Sequence, residues 1–339
     1  NEKSKNFGLI LGPLMFFVIL LFFHPSGLND QSNDVLAATI WIAIWWIFEA
    51  LPIAVTAILP IVLFPIAGGM DLAQTTASYG HKFIFLIMGG FMIAIAIEKW
   101  NLYKRIALNI IYFIGTDLRK IILGFMVATA FLSMWISNTA TAVMMLPIGV
   151  VIIKQLKDNP NTDENENNIF GKALMLAIAY SASIGGIATL IGTPPNLVMA
   201  GIVSQVYGYE ISFLEWIVFG LPVSMLLLAI CWVYLTRYAF TLKQDKFPDG
   251  REEILKLKNE LGVISYEQKI VGLVFISVGF CWITRSFLLQ KIFPALDDAI
   301  IAIIFAMILF IINAKSKKDK ILEWKEAIKM TWGILLLFG

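Results

Sequence analysis

The sequence predicts an all-α polytopic membrane protein, and three observations carry that prediction. The 339 residues are 59% hydrophobic and only 15% charged. Many apolar runs exceed the roughly 18 residues that mark a membrane-spanning helix. The basic residues gather on alternate connections between those runs, as the topology of a multi-spanning chain requires. A net charge of +2 is too small to indicate a nucleic-acid partner. Cys231 and Cys281 sit alone in apolar segments, without disulfide or metal-ligand spacing, and read as helix-packing residues.

The first run, Phe7 to Phe23, follows Lys3 and Lys5 and holds Pro13 but no small-residue cleavage site. It reads as a span entering from the cytoplasm, not as a cleavable signal. Further candidate spans cover 35–50, 53–67, 83–98, a polar-tipped run 121–153, an interrupted run 173–206, and 213–236. After a charged linker follow 267–289, 298–314 and a segment beginning near 330. Of the 26 Lys and Arg, all but Lys82, Arg285 and Lys291 fall on the side that carries the N-terminus. That bias places the N-terminus and the 237–269 linker in the cytoplasm. Between the third of these spans and the polar-tipped run, Leu102, Ile106, Ile110 and Phe113 recur at three or four residues beside Lys104 and Arg105. The spacing predicts a helix along the cytoplasmic interface, holding a rigid frame or serving as a plain connector.

Ser137-Asn138-Thr139-Ala140-Thr141 interrupts a charge-free run from Ile121 to Ile153. Polar groups at membrane depth are costly and are usually there to hold something. Arg119-Lys120 and Lys154 both count as cytoplasmic, so the 33 residues between must enter and leave by one face. Two full crossings need about 40 residues plus a turn, at roughly 20 per span. A re-entrant hairpin with Ser137-Asn138-Thr139 at its tip fits better, since irregular backbone survives at that depth only against protein or a cavity. A second interruption, Gly192-Thr193-Pro194-Pro195-Asn196, lies in the charge-free run from Ala173 to Tyr209. That run crosses once and is broken at its prolines, which lack an amide hydrogen and clash with the preceding turn. Two broken segments together read as a site for a small solute or ion in a transporter.

A five-residue pattern, Phe85-Leu86-Ile87-Met88-Gly89, recurs as Leu335-Leu336-Leu337-Phe338-Gly339 in a segment running the opposite way. That is the parity of an inverted-topology repeat, with the second copy incomplete in this chain; chance similarity among Leu-rich helices is the competing reading. Ser137 lies 48 residues beyond Gly89. A repeat would therefore put a second Ser-Asn-Thr or near variant about 50 residues past Gly339.

The strings Ser133-Met134-Trp135-Ile136-Ser137-Asn138-Thr139-Ala140-Thr141, with Pro147 following, and Tyr180 through Asn196 resemble the divalent anion/sodium symporters, the INDY-like dicarboxylate transporters. The resemblance runs in span order over essentially the whole chain. Family members carry two Ser-Asn-Thr motifs at two hairpin tips, and this sequence holds the first alone. The resemblance implies a sodium site formed by Ser133, Ser137, Asn138 and the backbone at Gly192. Ser133 and Ser137 are four apart, which would put both hydroxyls on one helix face. The Asn138 carbonyl and unwound backbone at Gly192 would complete a set of hard oxygens suited to an alkali cation. Ordinary hydrogen bonding between helices, worth about 0.6 kcal/mol per contact, is the competing account of such residues.

For substrate the resemblance implies Asn138 and Thr139 as carboxylate contacts. Thr193, expected among the substrate-binding residues, and Asn196 are polar groups at the second break that would stand behind those direct contacts, with simple helix capping at least an equal reading of Asn196. Neither broken run holds Lys or Arg, so sodium and the positive ends of broken helices must attract a dianion.

The expectation is a sodium-coupled symporter of C4-dicarboxylates such as succinate, malate or fumarate, working by alternating access as a multi-pass protein of the inner (plasma) membrane. Family members are typically homodimers. Alternatives within the family are sodium-independent dicarboxylate exchange and symport of citrate or sulfate. A channel would want a continuous polar pore. An intramembrane enzyme would want catalytic groups within the spans, yet Glu49 and Glu98 lie at span ends and His24 and His81 in outward loops. The expected organisation is scaffold spans and interfacial helix over 1–118, a transport region over 119–236, a cytoplasmic linker over 237–269, and the start of a second repeat over 270–339.

Overall fold

A chain this apolar can satisfy its backbone in lipid only within its own helices or a closed barrel. The computed structural model of the protein describes residues 2–115, 117–158, 164–240, 242, 250–316 and 319–337. Among these residues the structure is helical, with one isolated bridge, Asn313 to Lys320, and no strand. In order the helices are α1 (Glu2–Phe22), α2 (Asp30–Ile47), α3 (Ile53–Ala57), α4 (Pro60–Ala67), α5 (Leu72–Ser78), α6 (Lys82–Lys99), α7 (Leu102–Ile114), α8 (Leu118–Ser133) and α9 (Asn138–Asp158). There follow α10 (Glu164–Gly186), α11 (Pro194–Tyr207), α12 (Phe213–Val233), α13 (Gly250–Glu260), α14 (Tyr266–Thr284), α15 (Gln290–Ile292), α16 (Asp298–Ile311), α17 (Trp324–Ala327) and α18 (Trp332–Leu337). Wide π-turns extend α12 over Tyr234–Ala239 and α14 over Arg285–Leu289. Six helical stretches among the described residues are long and apolar enough to cross a bilayer. The chain is a multi-pass membrane protein.

The helices form two compact units, one of residues 1–88 with 329–339 and one of 89–328. In the first, glycines on α1 admit the aromatics of α2. A Cβ on Gly8 would stand 2.4 Å from the Phe48 side chain, and one on Gly12 would stand 2.5 Å from Trp41. Small residues of this kind let helices approach in the absence of a hydrophobic drive between them. Phe16, Ile19, Ala37, Ala38 and Leu63 form the buried centre of this unit, and α18 lies on α3 with Gly333 over Ala54.

In the second unit α8 and α10 are the innermost pair, with α7, α9 and α12 around them. Gly185 of α10 rests directly on the backbone of Ala130 in α8, where a Cβ would lie 2.3 Å from the Ala130 carbonyl oxygen. Polar ties close the end of the unit that holds α7 and α13. Lys99 pairs with Glu326 at 2.7 Å, and Arg105 donates to the carbonyls of Leu261 and Gly262. Arg251 of α13 donates to the Tyr112 hydroxyl at 3.0 Å.

Several sequence expectations change here. The span expected over 53–67 is two short helices, because Pro60 supplies no amide hydrogen to continue α3 and instead starts α4. The stretch expected to lie along the interface is a helix, α7, but its buried stripe is Leu102, Tyr103, Ala107, Leu108 and Ile111. Phe113, expected on that stripe, is 90% exposed. The 237–269 linker contains α13, which packs on α7. Arg285, counted with the charges of the face opposite the N-terminus, is 7% exposed and pairs with Asp298, 6% exposed, at 2.7 Å. Phe338 and Gly339, the end of the repeated pattern, lie outside the described residues.

Candidate functional site

Two chain breaks meet inside the second unit. Regular α8 ends at Ser133 and α9 begins at Asn138, leaving Met134 to Ser137 as a tight turn. α10 ends at Gly186 and α11 begins at Pro194, so the break starts at Ile187, five residues before Gly192. Pro194 suits the first position of a helix, where a missing amide hydrogen loses nothing. Thr193 supplies the N-cap with extended backbone, φ −143° and ψ 136°, but its hydroxyl makes no capping bond among the described residues.

The turn and the break are interlocked by short polar contacts. The Ser133 hydroxyl is fully buried and lies 2.8 Å from Asn138 Oδ1 and 2.6 Å from the Ala182 carbonyl oxygen. The hydroxyl has one hydrogen and can donate it to only one of the two at a time. Thr189 donates to the Met134 carbonyl and accepts the Gly192 amide at 3.0 Å. The Asn196 amide group donates to the carbonyls of Gly186 at 2.9 Å and Thr189 at 2.7 Å. From α12, Trp216 donates to the Ile187 carbonyl at 3.0 Å and Ser224 to the Ile184 carbonyl at 2.8 Å.

Two glycines permit this closeness. A Cβ on Gly186 would stand 2.3 Å from Asn138 Oδ1. One on Gly192 would stand 2.6 Å from the Gly186 carbonyl oxygen and 3.0 Å from the Ser133 carbonyl oxygen. Ser133 and Asn138, five residues apart, are thus brought together with Gly192 from a distant stretch of the chain. The helical-spacing expectation for Ser133 and Ser137 does not hold, because α8 stops at Ser133. The Ser137 hydroxyl instead accepts the Ala140 amide at 3.4 Å, capping α9. Thr139 is exposed on the first turn of α9. Asn196 neither caps α11 nor stands off from the break; it ties the end of α10 to the irregular chain.

Sequence reasoning missed Thr189, Gly186 and Trp135. Their roles are steric or backbone-directed, and nothing in a charge-free run distinguishes such a threonine or glycine from a packing residue. The electrostatics follow from the helix ends. The carbonyl ends of α8 and α10 meet here, as do the amide ends of α9 and α11, giving partial negative and partial positive poles within one site. Unwound carbonyls with helix C-termini suit a cation, and helix N-termini suit an anion. Among the described residues no group of three His, Cys, Asp or Glu could hold a metal.

The profile described as "Sodium:sulfate symporter transmembrane region" matches residues 3–339. The chain is also 48% identical, over 351 aligned positions, to a protein of Staphylococcus aureus (strain USA300) named "Sodium-dependent dicarboxylate transporter SdcS", covering 100% of this chain and 68% of that relative. The proteins of the same name from strains NCTC 8325 / PS 47 and bovine RF122/ET3-1 are 48% and 47% identical with the same coverage. A profile spanning nearly the whole chain and relatives at this identity carry the same conclusion: the chain belongs to the divalent anion:sodium symporter family, and is a transporter and not an enzyme.

Proposed function

We propose that the protein is a sodium-coupled symporter of C4-dicarboxylates such as succinate, malate or fumarate, using the clustered breaks as its site. The observation that carries this reading is the convergence of oxygens where the two breaks meet: the buried Ser133 hydroxyl lies within hydrogen-bond distance of both Asn138 Oδ1 and the Ala182 carbonyl. A hard monovalent cation is the ligand such a cluster suits, with Asn138 Oδ1, Ser133 Oγ and the backbone at Gly192 as its oxygens; Ser137 Oγ, which caps α9 in the structure, is the further ligand the resemblance implies. The names of the Staphylococcus relatives, sodium-dependent dicarboxylate transporters, support the same pairing of ion and anion.

The dianion would meet Asn138 and Thr139 at the amide end of α9, with Thr193 at the amide end of α11. No Lys or Arg lies between Ile121 and Ile153 or between Ala173 and Tyr209. Sodium and the positive helix poles must therefore supply the attraction, which is a physical reason for coupling: without the cation the helix poles alone would have to offset the anion's two charges.

The segment of α8 and α9 is read as a re-entrant hairpin. α8 has 16 residues, about 24 Å at 1.5 Å each, shorter than the roughly 30 Å hydrocarbon layer. α9 has 21 residues in all and is by length and apolarity one of the six stretches able to cross, but its residues before Lys154 match α8 in length. In this reading residues 119–236 move as the transport region against scaffold spans in 1–118 and 270–339, in an inverted repeat with a cytoplasmic N-terminus. The moving region would alternate access to the site within a homodimer in the plasma membrane.

The test is sodium activation of labelled succinate uptake into proteoliposomes by the full-length protein and its Asn138→Ala and Ser137→Ala variants. Each should raise the half-saturating sodium concentration. Unchanged sodium curves with full uptake in both would refute the cation assignment.

A further inference from the structure

The turn between α8 and α9 is held from two sides. On one side Thr189 donates to the Met134 carbonyl. On the other, the Trp135 ring lies on a face of α14 made by Phe275, Gly279 and Trp282, four and then three residues apart and so on one side of a helix. Trp135 is parallel to Trp282 within 5° at 6.2 Å between centroids, an offset stack. It meets Phe275 edge-on at 5.0 Å and Phe213 of α12 at 6.0 Å. Gly279 leaves room for it: a Cβ there would stand 3.5 Å from the Trp135 ring.

Trp282 is itself fixed. It is 2% exposed, its indole N–H donates to the Asp298 carbonyl at 3.0 Å, and the Asp298 carboxylate pairs with Arg285 at 2.7 Å. By contrast, the Trp135 indole N–H is buried and finds no acceptor among the described residues. Packing on α14, and not a hydrogen bond, therefore sets where the Trp135 ring lies. Trp135 stands between Ser133 and Ser137 in sequence, within a turn too short to absorb a displaced indole without moving both neighbours.

We propose that Trp282 is a positioning residue for the oxygen cluster: through the Trp135 stack over Gly279, α14 holds the turn so that Ser133 and Asn138 keep the spacing a cation requires. The inference rests on the reading of that cluster as the sodium site. Trp282 reaches the turn through its stack on Trp135, and Gly279 faces the same ring.

The experiment measures the half-saturating sodium concentration, the maximal rate at saturating sodium and the KM for succinate in proteoliposomes of the full-length protein. Trp282→Leu removes the stack and should raise the half-saturating sodium concentration about threefold to tenfold, with a maximal rate within about twofold of the parent. Trp282→Phe keeps an aromatic face and should shift it less. Gly279→Ala should behave as the parent, because 3.5 Å is an ordinary contact. Gly279→Val should lift the Trp135 ring and reproduce the Trp282→Leu shift; it decides the matter if Trp282→Leu fails to fold. A lowered maximal rate with an unchanged half-saturating sodium concentration in these variants would show a purely architectural role and overturn the inference. An Asn138→Ala protein with the parent sodium curve would instead sink the cation-site reading, whatever Trp282 does.

Discussion

Gly186 offers the sharpest perturbation of the site, because the space its missing side chain leaves is filled by Asn138. In Gly186→Ala the new Cβ would stand 2.3 Å from Asn138 Oδ1 and 3.1 Å from its Cγ, where ordinary contacts begin near 3.4 Å. The carboxamide must therefore retreat by about 1 Å, which ends its 2.8 Å contact with Ser133. The clashing atom is the end of a side chain, so the backbone can stay and the damage falls on the site. Overpacking of this kind costs about 1–3 kcal/mol. Expressed as lost cation affinity, that is about fivefold to 150-fold.

The neighbouring Gly185→Ala separates this effect from general instability, since its Cβ would meet the backbone of Ala130 at 2.3–2.4 Å and must push α8 and α10 apart. Gly90→Ala, whose nearest atom is the Ile191 Cδ1 at 3.7 Å, is the innocuous control. The assay is sodium activation of succinate uptake in proteoliposomes, paired with thermal unfolding of the purified protein in sodium-free detergent. Gly186→Ala should raise the half-saturating sodium concentration with a small loss of melting temperature, whereas Gly185→Ala should lose melting temperature first. A Gly186→Ala protein with the parent sodium curve would refute the role given to the Asn138 carboxamide.

Thr139→Val keeps the shape of the α9 start but removes its hydroxyl; losing a hydrogen bond to a charged group costs about 1.5–3 kcal/mol, so succinate affinity should fall about tenfold to 150-fold. Affinity within twofold of the parent would remove Thr139 from the anion site. Asp298→Ala leaves Arg285 buried without its partner carboxylate and should cost about 3–5 kcal/mol, read as a large loss of thermal stability, while replacing both with apolar residues should recover much of it. An Asp298→Ala protein as stable as the parent would deny the pair its structural weight. Asn196→Leu removes two donors to the Gly186 and Thr189 carbonyls and should lower both stability and sodium affinity; a change in neither would mean the break holds its shape without that amide.

The sequence made the helical membrane class and both chain breaks legible, because prolines and clustered hydroxyl and amide groups stand out against charge-free runs. It was less informative wherever lipid and protein present the same chemistry. On α7 the apolar residues surround much of the helix, so hydropathy could not tell the stripe that packs, Tyr103 and Ala107 with Ile111, from the one bearing Phe113. The burial of Arg285 is not legible in a charge count because its partner Asp298 is 13 residues away and their pairing is a tertiary event. Counting four residues from Ser133 to Ser137 assumed a helix that ends at Ser133. The contact of Ser133 with Asn138, and the Gly186 that admits it, depend on how α10 packs against α8, which no local pattern encodes.

Uptake of labelled succinate by the full-length protein in proteoliposomes, with and without an inward sodium gradient and with unlabelled citrate or sulfate as competitors, tests the central claim most directly. Sodium-coupled dicarboxylate symport predicts accumulation above equilibrium when the gradient is present, none in potassium alone, and weak competition by citrate and sulfate. Succinate accumulation that is indifferent to sodium, or uptake suppressed by sulfate and not by excess succinate, would contradict it.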